Sequence, residues 1–134
     1  QRRGDKMNRV LIVDDEQMTL DVTSDMVAKL GFSPMLARTA NKALEIAYEQ
    51  RPGIVLCDLN LGGNMDGIAL CSRIRYEDQS TAMIAMSGWF SDYDKAYCLS
   101  AGFSDFLQKP TDYNELKSAL QCAFERRTRW MQIP

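Results

Sequence analysis

The sequence contains no histidine among its 134 residues, and this absence removes a large part of catalytic chemistry. Without an imidazole, the chain has no Ser/His or Cys/His triad and no histidine general base. A zinc site would need all four cysteines, Cys57, Cys71, Cys98 and Cys122, which include no CxxC pair. A disulfide framework is the other functional interpretation, but a chain of this length can build a core without cross-links. We therefore expect free thiols and a reducing, cytoplasmic setting.

Long apolar runs and an excess of charge of either sign are also missing. The longest uninterrupted apolar run, Ala82 to Met86, is far shorter than the roughly 20 residues that a membrane helix needs. Sixteen basic and eighteen acidic residues leave a net charge of −2, which argues against a generally basic nucleic-acid-binding surface. Apolar residues at 46% and charged residues at 25% are typical of a globular domain. We therefore exclude a membrane-spanning protein, a fibre and a disordered chain, and expect no nucleic acid or membrane among the partners.

Short apolar runs alternate with segments of helical periodicity. The predicted strands cover 10–13, 32–37, 54–57, 83–86 and 103–108. The predicted helices cover 17–30, the stripe from Ala40 to Tyr48, a segment capped by Asp66, 91–101, and a segment capped by Asp112. Gly31 and Gly102 end two of these helices. Five strands alternating with five helices indicate an α/β fold, a doubly wound five-stranded parallel sheet covered by helices on both faces.

The alternation predicts one domain with short ends. Residues 8–126 form the predicted domain, and we find no internal repeat, low-complexity segment or interdomain linker within them. Residues 1–7 are interpreted as an unstructured lead-in. Residues 127–134 are either the end of the last helix or the stub of a linker.

In the first helix, the apolar residues Val22, Met26, Val27 and Leu30 recur at helical spacing.

Polar side chains stand at the ends of four predicted strands. Strand one ends in Asp14 and Asp15, strand three in Asp58, strand four in Ser87 and strand five in Lys109. Right-handed crossovers bring these ends to one edge, where open parallel sheets bind ligands. Three carboxylates in one place repel one another unless a cation joins them. Oxygen ligands alone favour Mg²⁺, or Mn²⁺ in its place, and the lysine and hydroxyl add partners for phosphoryl oxygens. The pattern therefore predicts phosphoryl transfer, with one carboxylate as the nucleophile.

Four motifs stand at these strand ends: VLIVDDE at 10–16, CDLNLGGNMDG at 57–67, MSG at 86–88 and DFLQKP at 105–110. In this order and at this spacing they resemble the receiver domain of two-component response regulators, the CheY-like superfamily, over about residues 8–126. The resemblance implies a (βα)₅ flavodoxin-like receiver fold, a three-layer α/β/α sandwich. It also implies a protein that is not a conventional enzyme but catalyses its own phosphorylation and dephosphorylation.

The resemblance assigns roles around the metal and the acceptor. Asp58 matches the aspartate that takes a phosphoryl group from a histidine kinase or a phosphotransfer protein, in a Mg²⁺-dependent reaction. Asp15 matches the direct Mg²⁺ ligand, and Asp14 matches a ligand that acts mostly through water. The backbone carbonyl of Asn60 occupies the position of a further metal ligand.

The resemblance also assigns a switch. Ser87 matches the switch hydroxyl, Lys109 the lysine that pairs with the phosphoryl group, and Phe106 the switch aromatic. Pro110 matches a proline whose preceding peptide bond is usually cis. The implied output surface is the fifth strand with the last two helices, which would regulate a downstream partner or output domain. Homodimerisation on phosphorylation is left open.

Each of these residues also has a structural interpretation. The acids could cap helices, Ser87 could belong to a turn, Lys109 could be a surface charge and Phe106 could be core. Among functions, a degenerate receiver that binds partners without phosphorylation is the main alternative. A phosphohydrolase of the haloacid-dehalogenase type would have a second acid at Asn60, and a flavodoxin-like cofactor carrier would have a phosphate loop after strand one. The sequence has neither.

The chain departs from the family pattern beside the acceptor. Gly62 stands where the family commonly has proline, and the loop is one residue longer, so the loop has more backbone freedom. Asn60 and Trp89 occupy positions that tune access to the phosphoryl group. We hypothesise that the bulk of Trp89 limits water access and slows loss of the phosphoryl group. A Trp89→Ala variant should then dephosphorylate faster, and an unchanged or slower rate would contradict this role.

Overall fold

The computed structural model describes residues 8–63, 65–88 and 92–132, apart from the side chains of 92, 93 and 127–132. The strands are β1 (Arg9–Val13), β2 (Ser33–Ala37), β3 (Ile54–Asp58), β4 (Ala82–Ser87) and β5 (Asp105–Gln108). The helices are α1 (Gln17–Lys29), α2 (Ala40–Gln50), α3 (Gly67–Glu77), α4 (Asp92–Ala101) and α5 (Tyr113–Gln132). The predicted lead-in at 1–7 lies outside the described residues. Helix α5 continues through most of the predicted C-terminal segment, to Gln132.

The five strands form a parallel sheet in the order β2-β1-β3-β4-β5. The register pairs Val10 with Ile54, and Ile54 with Ala82, so the three central strands start level with one another. This order is the doubly wound arrangement in which β1 and β3 flank the point where the connections reverse direction. The predicted fold class is confirmed. No helix in the described part of the chain is long and apolar enough to span a membrane.

The core lies on both faces of the sheet because side chains alternate between the faces along each strand. One face carries Leu11 and Val13 of β1 and is covered by α2, α3 and α4. The other face carries Val10 and Ile12 and is covered by α1 and α5. A strand buried on both faces has no polar positions, which explains the continuous apolar runs in the sequence.

The predicted caps of two helices are present. The Asp66 carboxylate accepts a hydrogen bond from the backbone N–H of Ala69 at 2.8 Å, and α3 begins at the next residue. The Asp112 carboxylate accepts from the N–H of Glu115 at 3.0 Å at the start of α5. These bonds satisfy N–H groups that have no partner inside the helix.

The predicted fifth strand begins two residues too early. Phe103 is buried, but its N–H bonds to the carbonyl of Cys98 at 3.0 Å, and Gly102 has a φ of 114°. This is the left-handed glycine turn that closes a helix, so Phe103 belongs to the end of α4. An apolar residue that packs beneath a helix end looks like a strand residue in the sequence.

Two apolar residues of the predicted helical stripes are exposed. Val22 in α1 is 55% exposed and Tyr48 in α2 is 66% exposed. Helix α1 buries Val27 of the predicted stripe, together with Leu20 and Thr23, which were outside it. It carries two adjacent apolar stripes, and only one of them can face the sheet.

The four cysteines are free. Cys57, Cys71 and Cys98 are buried and Cys122 is exposed. Burial raises the pKa of Cys71 to about 12, so this thiol is protonated at neutral pH. The three buried thiols act as small apolar side chains in the core beneath α2, α3 and α4.

Candidate functional site

The carboxyl ends of β1, β3, β4 and β5 lie side by side at one edge of the sheet. Asp58, the last residue of β3, is opposite Met86 of β4, and Ser87 is opposite Gln108 of β5. The pairing continues past the strands, because the N–H of Lys109 donates to the carbonyl of Ser87 at 2.8 Å. The predicted acids, the hydroxyl and the lysine are thus brought to one place by the strand order.

The two acids that follow β1 occupy different environments. Asp14 is fully buried, and its Oδ1 accepts a hydrogen bond from the N–H of Glu16 at 3.0 Å. Asp15 is exposed, and its backbone carbonyl accepts from Arg38, with Nη2 at 3.1 Å. Helix α1 takes Glu16 as its N-cap, without a side-chain hydrogen bond. The interpretation of Asp14 and Asp15 as helix caps is therefore wrong.

Lys109 joins the two buried carboxylates. Its Nζ lies 2.6 Å from Oδ2 of Asp14 and 3.0 Å from Oδ2 of Asp58. Burial works against the charged ammonium, but hydrogen bonds to the two carboxylates outweigh it and raise the pKa of Lys109. The lysine is therefore a fixed cation of the site, and its interpretation as a solvated surface charge is wrong.

Asp58 is only 5% exposed and both of its carboxylate oxygens are engaged. Oδ1 accepts from the N–H of Asn60 at 3.0 Å, and Oδ2 accepts from Lys109. Burial raises the pKa of Asp58, and these two hydrogen bonds only partly oppose the shift. A carboxylate with incomplete solvation and a fixed orientation is suited to act as a nucleophile, because little solvent has to leave it.

The site carries more negative than positive charge. Ligand oxygens of Asp14, Asp15 and Asp58 lie within 4.8 Å of one another, and Lys109 supplies one positive charge. Oxygens on opposite sides of a Mg²⁺ ion are about 4.2 Å apart, since each bond is about 2.1 Å. Three carboxylates at this separation therefore fit a hard divalent ion with small adjustments. Among the described residues no other group of three or more ligating side chains meets in this way.

The remaining predicted residues fall around this centre or outside the described part. Ser87 is buried at the end of β4, and Phe106 of β5 is half-buried against the core beneath α2, α3 and α4. The bond between Lys109 and Pro110 is cis. Trp89 lies outside the described residues.

Two residues near the acceptor were missed by the sequence reasoning. A Cβ atom on Gly67 would lie 2.5 Å from the carbonyl oxygen of Asp58 and 2.9 Å from Cα of Leu59. Only glycine therefore lets α3 start this close to the acceptor strand. The glycine after the capping Asp66 was the available signal. Arg38, which holds the backbone of Asp15, gave no sequence signal because it is a single basic residue after the edge strand β2 and lies 23 residues from Asp15.

Comparisons with known proteins agree with this arrangement. A model of the response regulator receiver domain family matches residues 10–121. A solved response regulator receiver domain protein (CheY-like) from Methanospirillum hungatei JF-1 has a TM-score of 0.84 at 24% identity, covering 90% of this chain and 96% of that chain. At 24% identity, the similarity to this structure shows that the two chains share a fold.

Two further solved structures are similar. The signal receiver domain of an HD domain-containing protein from Pseudomonas fluorescens Pf-5 has a TM-score of 0.84 at 28% identity, covering 90% of this chain and 97% of that chain. NtrX from Brucella abortus has a TM-score of 0.87 at 25% identity, covering 92% of this chain but 28% of the NtrX chain. In NtrX the same fold is thus one part of a longer chain.

The close approach of α3 to β3 at Gly67 predicts that one added methyl group at this position destabilises the protein. Gly67→Ala should push α3 away from β3, lower the free energy of unfolding by about 1–3 kcal/mol and displace the Asp58 loop. Urea denaturation measures the change in the free energy of unfolding. Gly62→Ala is the matched control in the same loop, because its Cβ would make an ordinary contact of 3.8 Å with Asp15. Equal stabilities of the two variants would show that the close approach is unimportant.

Proposed function

Because this chain belongs to the family of response regulator receiver domains, we propose that Asp58 accepts a phosphoryl group from a histidine kinase or phosphotransfer protein and switches an output surface. The observation that carries the proposal is the bridge from Lys109 to Asp14 and Asp58, with Asp15 beside it. In this arrangement a cation lies between the acceptor and a second acid and partly neutralises both. It is the arrangement that phosphoryl transfer needs, since most of the catalysis is positioning and charge neutralisation.

The transfer step follows from the geometry of Asp58. A carboxylate oxygen attacks the phosphorus of a phosphohistidine, an O–P bond forms, and the P–N bond breaks with its electron pair returning to the imidazole. The hydrogen bond from Asn60 holds the carboxylate plane. Lys109 can then donate to a phosphoryl oxygen in place of the carboxylate oxygen that it contacts before transfer. Dephosphorylation is a different step: water attacks the same phosphorus atom, the O–P bond to Asp58 breaks with its electron pair returning to the carboxylate, and inorganic phosphate leaves.

A divalent ion completes the charge balance of this proposal. Asp14, Asp15, Asp58 and the carbonyl of Asn60 are the residues that would hold it. When bound, Mg²⁺ neutralises charge on the phosphoryl oxygens. The proposed ligands lie directly after β1, at the end of β3 and in the loop after β3, so the ion would link the ends of these two neighbouring strands.

The output surface of the proposal is formed by α4, β5 and α5. The phosphoryl group adds negative charge beside Ser87, which moves toward it and leaves room for Phe106. Phe106 lies in the wall of a groove of about 570 Å³ that also includes Lys95 of α4 and Cys122 of α5. A shift of the ring would therefore change the groove that a downstream partner, an output domain or a second copy contacts.

The donor would approach over α1. Met18 is 79% exposed and Val22 lies one turn further along the helix. They border a groove of about 420 Å³ that Lys109 and Pro110 close on the side of the acceptor. An apolar surface this close to Asp58 suits an apolar segment of the donor beside its phosphohistidine.

The first test is covalent phosphorylation by a small donor. Incubation with acetyl phosphate and Mg²⁺ should add the mass of one phosphoryl group, and the gain should disappear in Asp58→Asn and without the metal. Asp25→Asn, an exposed acid on α1, is the matched control and should keep the gain. No gain, together with no change in fluorescence on adding beryllium fluoride, would favour the phosphorylation-independent binding module.

The second test separates donor docking from chemistry. Met18→Asp and Val22→Asp should slow transfer from a partner kinase about tenfold, because they place a charge in the apolar contact. Phosphorylation by acetyl phosphate should be unchanged. Tyr76→Asp, at an exposed tyrosine on α3, is the control. An equal fall in the phosphorylation rate with the kinase and with acetyl phosphate would exclude α1 as the docking surface. An unchanged rate with both donors would exclude it as well.

A further inference from the structure

Asp15 is the most exposed of the three acids in the site, and its side chain is not held by any hydrogen bond. Its carboxylate forms neither a hydrogen bond nor an ion pair with any residue in the described ranges. A Cβ atom on Gly62 would lie 3.8 Å from Oδ2 of Asp15, so this oxygen faces the loop after β3. The direction of the carboxylate therefore depends on the backbone that carries it.

That backbone is held on both sides of one peptide group. The carbonyl oxygen of Asp15 accepts hydrogen bonds from the Arg38 guanidinium, with Nη2 at 3.1 Å and Nε at 3.4 Å. The N–H of the same peptide group belongs to Glu16 and donates to Oδ1 of Asp14 at 3.0 Å. Because the peptide group is planar and bonded at both its oxygen and its nitrogen, the backbone on either side of it has little freedom to rotate.

The residues on either side of Arg38 are also fixed. The carbonyl of Ala37, the last residue of β2, accepts from the N–H of Asp14 at 3.1 Å. Thr39 is the N-cap of α2, and its hydroxyl accepts from the N–H of Lys42 at 3.1 Å. Arg38 thus stands between the end of a strand and the start of a helix, and its side chain reaches Asp15 from an anchored position.

The Arg38 guanidinium has no ion-pair partner in the described part of the chain, and both of its hydrogen bonds go to one carbonyl oxygen. A planar guanidinium presents its donors in a rigid fork, so it fixes the direction of the group that it binds. Its positive charge repels a divalent ion at the neighbouring acids. A favourable effect of Arg38 on an ion would therefore come from the hydrogen bonds and not from the charge.

We propose that Arg38 is a positioning residue of the divalent-ion site. It holds the backbone of Asp15 so that the Asp15 carboxylate stays beside Asp14 and Asp58, within the 4.8 Å that separates their ligand oxygens. Groups that orient a metal ligand commonly set metal affinity, although they never touch the metal. The inference rests on the proposed function, because the ion is the one that phosphoryl transfer to Asp58 would use.

The test is the binding of Mn²⁺ alone, followed by the electron paramagnetic resonance signal of the free ion. Arg38→Met keeps an unbranched stem and removes both donors. It should weaken Mn²⁺ binding about tenfold, the lower end of the range for partners that orient metal ligands. Removal of a positive charge alone has the opposite sign and tightens binding. Unchanged or tighter binding by folded Arg38→Met protein would overturn the proposal.

Two further variants separate the hydrogen bonds from the charge. Arg38→Lys keeps the charge and a donor, so it should bind Mn²⁺ more tightly than Arg38→Met does. Equal affinities of these two variants would contradict the role of the hydrogen bonds. Lys42→Met removes one positive charge near the start of α2 without touching Asp15, and it should bind Mn²⁺ at least as tightly as the wild type. An equal weakening in Lys42→Met would also overturn the proposal.

Amide spectra of ¹⁵N-labelled protein locate the change. In Arg38→Met the amide of Glu16 should shift and exchange faster with solvent, because its peptide group has lost the bonds to its carbonyl. The amide of Leu56, in the middle of the sheet, should be unchanged and reports that the variant is folded. A Glu16 amide that is the same in both proteins would show that Arg38 does not hold this peptide group.

Phosphorylation by acetyl phosphate separates this inference from the proposed function. Arg38→Met should need about tenfold more Mg²⁺ for the half-maximal rate and should reach the wild-type rate at saturating Mg²⁺. The same Mg²⁺ requirement in both proteins would overturn the role of Arg38 alone. Tenfold weaker Mn²⁺ binding by Arg38→Met, with no phosphoryl gain even in the wild type, would support the role of Arg38 and contradict the proposed function.

Discussion

The ammonium group of Lys109 is the interaction on which the site depends. Two buried carboxylates, Asp14 and Asp58, would repel each other without it, and two unit charges about 4 Å apart interact by about 4 kcal/mol at an intermediate dielectric. The lysine is 2.6 Å from one and 3.0 Å from the other, so it opposes this repulsion directly. One cation does not balance three acids, and the remaining negative charge would favour a divalent ion at this edge.

The backbone that carries the Lys109 side chain is held in place by the sheet. The N–H of Lys109 is bonded to Ser87, the N–H of Leu59 to Met86, and the N–H of Asp14 to Ala37. These bonds extend the sheet beyond the ends of its strands, so residues after each strand keep the spacing of the strands. A sheet therefore positions the site more rigidly than loops of the same length would.

The residues that follow apolar runs were predictable from the sequence, because a parallel sheet collects its strand ends at one edge. Asp58 and Lys109 were identified in this way, and so was the parallel sheet with helices on both faces. What could not be predicted depends on packing across the sheet. Phe103 is apolar but closes a helix, and Val22 lies on the apolar stripe of α1 that faces away from the sheet. Periodicity predicts which residues share a face of a helix, but packing against neighbouring elements determines which face is buried.

The parallel arrangement also makes the two edges of the sheet electrically different. Helices that follow parallel strands begin at the edge where the strands end, so the positive ends of α1 and α3 lie near the acids of the site. The capping Asp66 and the close start at Gly67 place the beginning of α3 directly against β3. The negative ends of α2 and α3 lie at the other edge, beside Glu49 and Glu77. One topology thus places positive helix ends at the edge that holds the site and negative helix ends at the opposite edge, because every helix contributes its dipole in the same sense.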